Sequence, residues 1–114
     1  MPNDLLSDPI ASPLPADTGS AMAGRAEEAA NLLRALSRGG RLLILCHLSA
    51  GEKTVGELES LLGLRQAAVS QQLARLRQEG LVQAHRSGKS IRYRLADPRA
   101  ARLVGEIYDI FCGS

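Results

Sequence analysis

Apolar residues recur along this chain with two different periods, and the change of period separates helices from a hairpin. From Arg25 to Ser37, Ala29, Leu32, Leu33 and Leu36 fall on one helical face. Gly39-Gly40 interrupts that pattern. Arg41 to Ala50 is apolar nearly all round, with Leu42, Leu43, Ile44, Leu45 and Leu48, which predicts a helix at the centre of a core. Gly51 ends it. Thr54 to Leu62 predicts a third helix, with Val55, Leu58, Leu61 and Leu62 as its buried stripe. Thr54 and Glu57 have the spacing of a capping box, in which each side chain takes an orphan backbone donor of the first turn. Gly63 supplies a turn, and Gln66 to Glu79 forms a fourth helix with Val69, Leu73 and Leu76 inward.

The period then drops to two. Leu81 to Arg86 and Ser90 to Leu95, joined by Ser87-Gly88-Lys89, predict a half-buried β-hairpin. In its second arm Ile91, Tyr93 and Leu95 point one way, and Ser90, Arg92 and Arg94 the other. Asp97-Pro98 opens a last helix, an N-cap followed by proline at the first helical position. That helix runs to about Cys112, with Leu103, Val104, Ile107, Ile110 and Phe111 apolar. Residues 1–20 hold four of the five prolines and read as a disordered tail, leaving 21–114 as one domain. The fold class is mainly α with a small β-hairpin wing.

With 114 residues and very few aromatics, the core must be aliphatic. No apolar run is long enough for a membrane span, and no basic leader opens the chain, so a cytoplasmic protein without membrane contact is expected. The net charge of +2 is uninformative until it is divided. Residues 65–102 carry nine Lys/Arg against Glu79 and Asp97, near +7, which leaves the rest near −5. Such asymmetry predicts a polyanion-binding face.

Two short helices joined by a glycine turn and followed by a basic hairpin make a winged helix-turn-helix, whose second helix enters the major groove of DNA. That helix must bury one side and offer small or polar groups on the other. With Val69 inward, Ala67, Gln71, Ala74 and Gln78 point outward, flanked by Gln66 and Ser70. Glutamine can address adenine with two hydrogen bonds, and small residues let the backbone approach. Arg75 and Arg77 suit phosphates, and Arg86, Lys89, Arg92 and Arg94 put charge on the wing, where it sets affinity more than sequence choice. For any single glutamine, simple solvation explains its position equally well; the ordered constellation carries the reading. Double-stranded DNA is the expected partner.

The run TVGELESLLGLRQAAVSQQLARLRQEGLVQAHRSGKSIRYRL resembles the core of the ArsR-type (SmtB/ArsR) bacterial repressors. The resemblance covers about Arg25 to Cys112 and implies a homodimer that leaves DNA when an inducer binds. It also implies that the first and last helices pair across the two-fold axis, with Leu103, Ile107, Ile110 and Phe111 as interface residues. Arg65 departs from the family, which usually has a capping serine there, and Gln72 stands where histidine is frequent.

Many members of that family sense metals, but the helix reading VGELESLLG has no Cys-x-Cys, and the last helix offers Glu106 and Asp109 without a histidine. A zinc site normally needs about four ligands. His47 and His85 lack such a spacing, so neither metal nor other cofactor is expected, and no enzymatic activity. Cys46 shares a face with Leu42 and Leu45, and Cys112 ends the last helix. On spacing alone the two are as compatible with small buried hydrophobes as with a sensing pair. Both sit near helix C-termini, where the dipole disfavours a thiolate.

RLLILCHLSAGEKTVGELE, with a second cysteine at the end of the last helix, resembles the SqrR/BigR group of ArsR-type repressors, which sense persulfides and polysulfides. The resemblance implies that Cys46 and Cys112 of one subunit become linked through sulfur and that a small reactive sulfur species is the inducer. General thiol oxidation by peroxide, or metal sensing, is the alternative reading.

Overall fold

The computed structural model describes residues 14–113. Residues 1–13, most of the expected tail, lie outside the described residues. The chain divides into two units, Met1–Ala30 and Asn31–Ser114.

In the first unit, Thr18–Ala23 is a short helix, α1. It was not expected, and it sets residues 18–20 outside a disordered tail. Its start is fixed locally by the Thr18 hydroxyl and N–H, both of which donate to the Pro15 carbonyl. α2, Ala26–Ser37, begins in this unit and ends in the second.

In the second unit a 3-10 turn at Arg38–Gly40 leads into α3, Leu42–Ala50. Gly39 and Gly40 both take positive φ, 61° and 74°, which explains why this break is a glycine pair. A two-residue strand β1 (Lys53–Thr54) precedes α4 (Val55–Leu62) and α5 (Gln66–Gln78). β2 (Val82–Ser87), β3 (Ser90–Leu95) and α6 (Pro98–Cys112) complete the unit. The sheet has three antiparallel strands in the order β1-β3-β2, with Ala84 opposite Tyr93 and Lys53 opposite Tyr93 on the other edge. β1 is too short to show any alternation, so the sequence predicts only the hairpin.

The core is aliphatic. Ile44, Leu45 and Leu48 of α3 meet Leu58 of α4, Val69, Leu73 and Leu76 of α5, Leu81 and Val82 at the hairpin, and Ala100 and Val104 of α6. Each fully buried Leu or Val contributes about 1.5–3 kcal/mol relative to exposure. Three expected core positions face out instead: Leu33, Leu61 and Leu43, the last 63% exposed. α3 is therefore central but not surrounded, because α6 leaves the Leu43 side open. Ile91 is also exposed, at 45%, since the wing tip projects beyond the core that covers Tyr93 and Leu95. Among the described residues no helix is long and apolar enough to cross a membrane.

The local signals hold at the caps. The Glu57 N–H donates to Thr54 Oγ1 at 3.1 Å, and the Thr54 N–H donates to Glu57 Oε1 at 2.8 Å. Asp97 caps α6 through the Arg99 N–H.

Among the described residues one charged side chain is buried, Arg41, at the N-cap of α3. Its Nη1 donates to the Ala35 carbonyl at 2.9 Å and to Glu79 Oε1 at 2.6 Å, while Nη2 reaches Glu79 Oε2 at 3.2 Å. The Arg41 side chain is 2% exposed and that of Glu79 30%. Hydrogen bonding from Arg41 holds the Glu79 carboxyl below its ordinary value of 4.5, against a smaller opposing effect of burial. A lowered acid contributes stability that is complete above its unfolded value and is lost as pH falls through the folded one. Glu79→Gln leaves Arg41 buried without a counter-charge and should cost about 2 kcal/mol at neutral pH, less than a fully enclosed pair because Glu79 keeps some solvent. Urea unfolding between pH 6 and 3 checks this: the wild-type stability falls towards the acid end more steeply than that of the variant.

Candidate DNA-binding face and thiol cleft

α4 and α5 are joined through Gly63, whose φ of 67° closes α4 with its N–H on the Glu59 carbonyl at 2.8 Å. α5 buries Val69, Leu73 and Leu76 and leaves Gln66, Ala67, Ser70, Gln71, Ala74, Arg75, Arg77 and Gln78 exposed. All the predicted reading residues on this helix thus share the outward surface. Arg65 occupies the N-cap in an extended conformation and offers no side-chain cap. Gln72 lies between the two faces and donates from Nε2 to the Gly39 carbonyl at 2.8 Å, tying α5 to the turn before α3. With the Arg41–Glu79 pair, this gives α5 two polar anchors besides its buried stripe.

The wing is a two-residue hairpin in which Ser87 faces Ser90, with Gly88 at φ 65°. Arg86 and Lys89 stand exposed near its tip and have no ion-pair partner among the described residues. Arg92 differs from the expectation for a DNA-contacting side chain. It is half-buried, and its guanidinium turns back towards the Glu52 carbonyl at 3.2 Å, the Glu52 carboxylate at 3.6 Å and Glu57 at 3.4 Å. The cause is β1: pairing Thr54 with Arg92 brings Glu52, in the segment before α4, against β3. Sequence reasoning missed Glu52 because its partners are 33 to 42 positions away.

The two cysteines line the same open cleft, about 600 Å³, between α3 and α6. Leu43, His47, Ser49 and Ala50 come from α3, and Val104, Gly105, Tyr108 and Asp109 from α6. Cys46 packs against the core that holds Leu45 and at the same time opens onto the cleft beside Leu43. Cys46 is half-buried and Cys112 exposed, and both are free thiols. Burial raises the Cys46 thiol above its ordinary value, and the neighbouring Cys112 charge adds to the shift. Gly105 sits mid-helix with open space where a side chain would project. Among the described residues no group of three or more His, Cys, Asp or Glu is placed to hold a metal ion.

Of the four predicted interface residues, Ile110 and Phe111 are 66% and 79% exposed, an apolar surface at the end of α6. Ile107 is half-buried and lines an apolar groove with Leu33 and Leu42. Leu103 instead packs against the core of its own chain.

A buried-stripe helix with a polar outer face, preceded by a capped helix and followed by a basic wing, defines a winged helix-turn-helix DNA-binding protein. The family model described as "Bacterial regulatory protein, arsR family" matches residues 38–84. A biofilm growth-associated repressor from Xylella fastidiosa (strain Temecula1) is 48% identical over 99 residues, covering 87% of each chain. The crystal structure of the transcriptional repressor BigR from Xylella fastidiosa superposes with a TM-score of 0.74 at 47% identity, over 83% of this chain and 97% of that one. The regulator HlyU from Vibrio vulnificus CMCP6 gives a TM-score of 0.77 at 34% identity, over 82% and 97%. The chain belongs to the ArsR family of bacterial regulatory proteins, which are DNA-binding transcriptional regulators and not enzymes.

The unequal cysteines generate a first chemical expectation. Limiting iodoacetamide should modify Cys112 before Cys46, because the thiolate is the nucleophile and Cys46 is both less exposed and harder to ionise. Peptide mass mapping at partial reaction reads the order, and earlier labelling of Cys46 would contradict the environment described.

Proposed function

We propose that this chain is a cytoplasmic homodimeric repressor that leaves its operator when reactive sulfur links Cys46 to Cys112. The observation that carries this reading is the shared cleft: residues 66 positions apart line one cavity between α3 and α6. Burial raises the Cys46 thiol, and the neighbouring Cys112 adds to the shift, so its surroundings do not activate Cys46. The persulfide itself therefore supplies the reactivity.

The chemistry balances without an external oxidant. A cysteine thiolate attacks the outer sulfur of an organic persulfide, forms a protein persulfide and releases the organic thiol. If the second cysteine is also persulfidated, its terminal sulfur attacks the inner sulfur of the first, closes a three-sulfur bridge and expels hydrosulfide. Attack by an unmodified thiolate closes a two-sulfur bridge with the same leaving group. A plain disulfide requires Cα atoms within about 7 Å, and each inserted sulfur adds an S–S bond of about 2 Å, so wider spacing favours sulfur over peroxide.

On DNA, Gln66, Ala67, Ser70 and Gln71 meet base edges in the major groove, with Arg75 and Arg77 on flanking phosphates. Arg86 and Lys89 meet phosphate from the wing. A second copy covers the exposed Ile110 and Phe111 and the groove at Ile107. The likeness to a repressor named for biofilm growth supports repression as the direction of control.

Binding to the DNA upstream of its own gene, measured by fluorescence anisotropy, tests the sensing. Wild type should lose at least about tenfold in affinity after glutathione persulfide, equivalent to about 1.4 kcal/mol. Cys112→Ser should bind equally well when reduced and remain bound after treatment; its normal release would overturn the reading. Equal release of wild type by peroxide would make it a general thiol switch, and release by Zn²⁺ a metal sensor. The DNA roles are tested separately. Gln71→Ala should relax base selection by about 1–3 kcal/mol at one position. Lys89→Ala should weaken all duplexes alike and reduce the salt slope by about 0.9. Unchanged selectivity or slope would remove that residue from the interface.

A further inference from the structure

The base of the wing is electrically closed. Glu52, just beyond the end of α3, receives His85 Nε2 at 2.9 Å from β2. Its carboxylate also lies 3.6 Å from Arg92 Nε and 3.6 Å from Arg94 Nη1 on β3. Glu57 adds a second carboxylate at 3.4 Å from Arg92. Arg92 and Arg94 are therefore matched by two acids, while Arg86 and Lys89 nearer the tip are not. A carboxylate at the root of a DNA-binding wing opposes phosphate binding as well as tying β2 and β3 together.

We propose that Glu52 is a specificity-setting residue for DNA binding: it touches no DNA, and together with Glu57 it offsets the charge of Arg92 and Arg94, so that within the wing sequence-independent attraction is confined to the tip. Phosphate contacts raise affinity for every sequence equally, whereas base contacts distinguish one. Holding two arginines out of the phosphate count keeps the base-reading face of α5 decisive. The pairs are partly exposed and hence weak individually, so their effect lies in the charge offered to DNA rather than in stability. The proposal concerns DNA binding by the reduced protein and is independent of the sulfur chemistry.

The test measures the reduced full-length protein on a random-sequence duplex across a salt series. Each added phosphate contact steepens the plot of log affinity against log salt by about 0.9. Glu52→Gln keeps a hydrogen-bond acceptor for His85 but removes the charge. It should bind the random duplex more tightly than wild type at low salt, with a slope steeper by about 1–2. On a duplex selected by the wild-type protein from a random pool, its preference over random sequence should shrink. Arg94→Ala in the Glu52→Gln background should return about one unit of that slope, whereas the same change in wild type should leave the slope unaltered. A melting curve establishes that each variant is folded. An unaltered slope in folded Glu52→Gln would overturn the proposal. So would a loss of about 0.9 on making Arg94→Ala in wild type, which needs no Glu52 variant to interpret.

Discussion

α5 ends at Gln78, and its C-cap Glu79 is gripped by the guanidinium at the start of the helix that carries Cys46. Arg41 has to be buried for this, and it is held there by two oxygens of one carboxylate and a backbone carbonyl. Removing Glu79 would leave the Arg41 charge stranded against an aliphatic core, which is why such pairs resist being broken even where they add little net stability. The rest of the arrangement follows from this constraint. α5 can leave its outward face polar because its inward stripe, Gln72 and Glu79 together fix its orientation.

α3 is thereby held at both ends by charges belonging to the DNA-binding elements. Arg41 at its N-terminus takes the end of α5, and Glu52 just after its C-terminus takes three side chains of the wing. Between those two clamps, its Cys46 side opens into the cleft with α6. A bond between Cys46 and Cys112 would act on a helix flanked by ion pairs to α5 and to the wing. Only a small bias is then needed: half-sites one duplex turn apart are about 34 Å from centre to centre, and both reading helices of a dimer must dock together.

The helices were readable because their signals are local. Thr54 and Glu57 form the capping box their spacing predicts, Asp97-Pro98 opens α6, and the stripe Val69, Leu73, Leu76 is buried as its period requires. What sequence could not show depends on partners far along the chain. β1 is two residues long and exists because β3 is there to pair with it. Arg41 looked like the first residue of an apolar helix, yet its partner is 38 positions away. The two carboxylates within the basic segment were a clue in retrospect: Glu79 and Asp97 are both structural, one pairing with Arg41 and the other capping α6. On the site side, every α5 residue expected to face outward is exposed, and Ala68 besides, whereas alternation along β3 says nothing about the loop that pairs with Arg92. Leu43 likewise seemed a core residue; an apolar position that opens onto a cleft has the same sequence signature as one that is packed.

The most direct measurement follows the operator complex through a titration with glutathione persulfide, reading anisotropy and intact mass on the same samples. The account predicts that DNA release tracks, point by point, the appearance of a single protomer whose Cys46 and Cys112 are joined through sulfur and no longer alkylate. Release while both thiols still alkylate, or complete bridging with the DNA still bound, would contradict it.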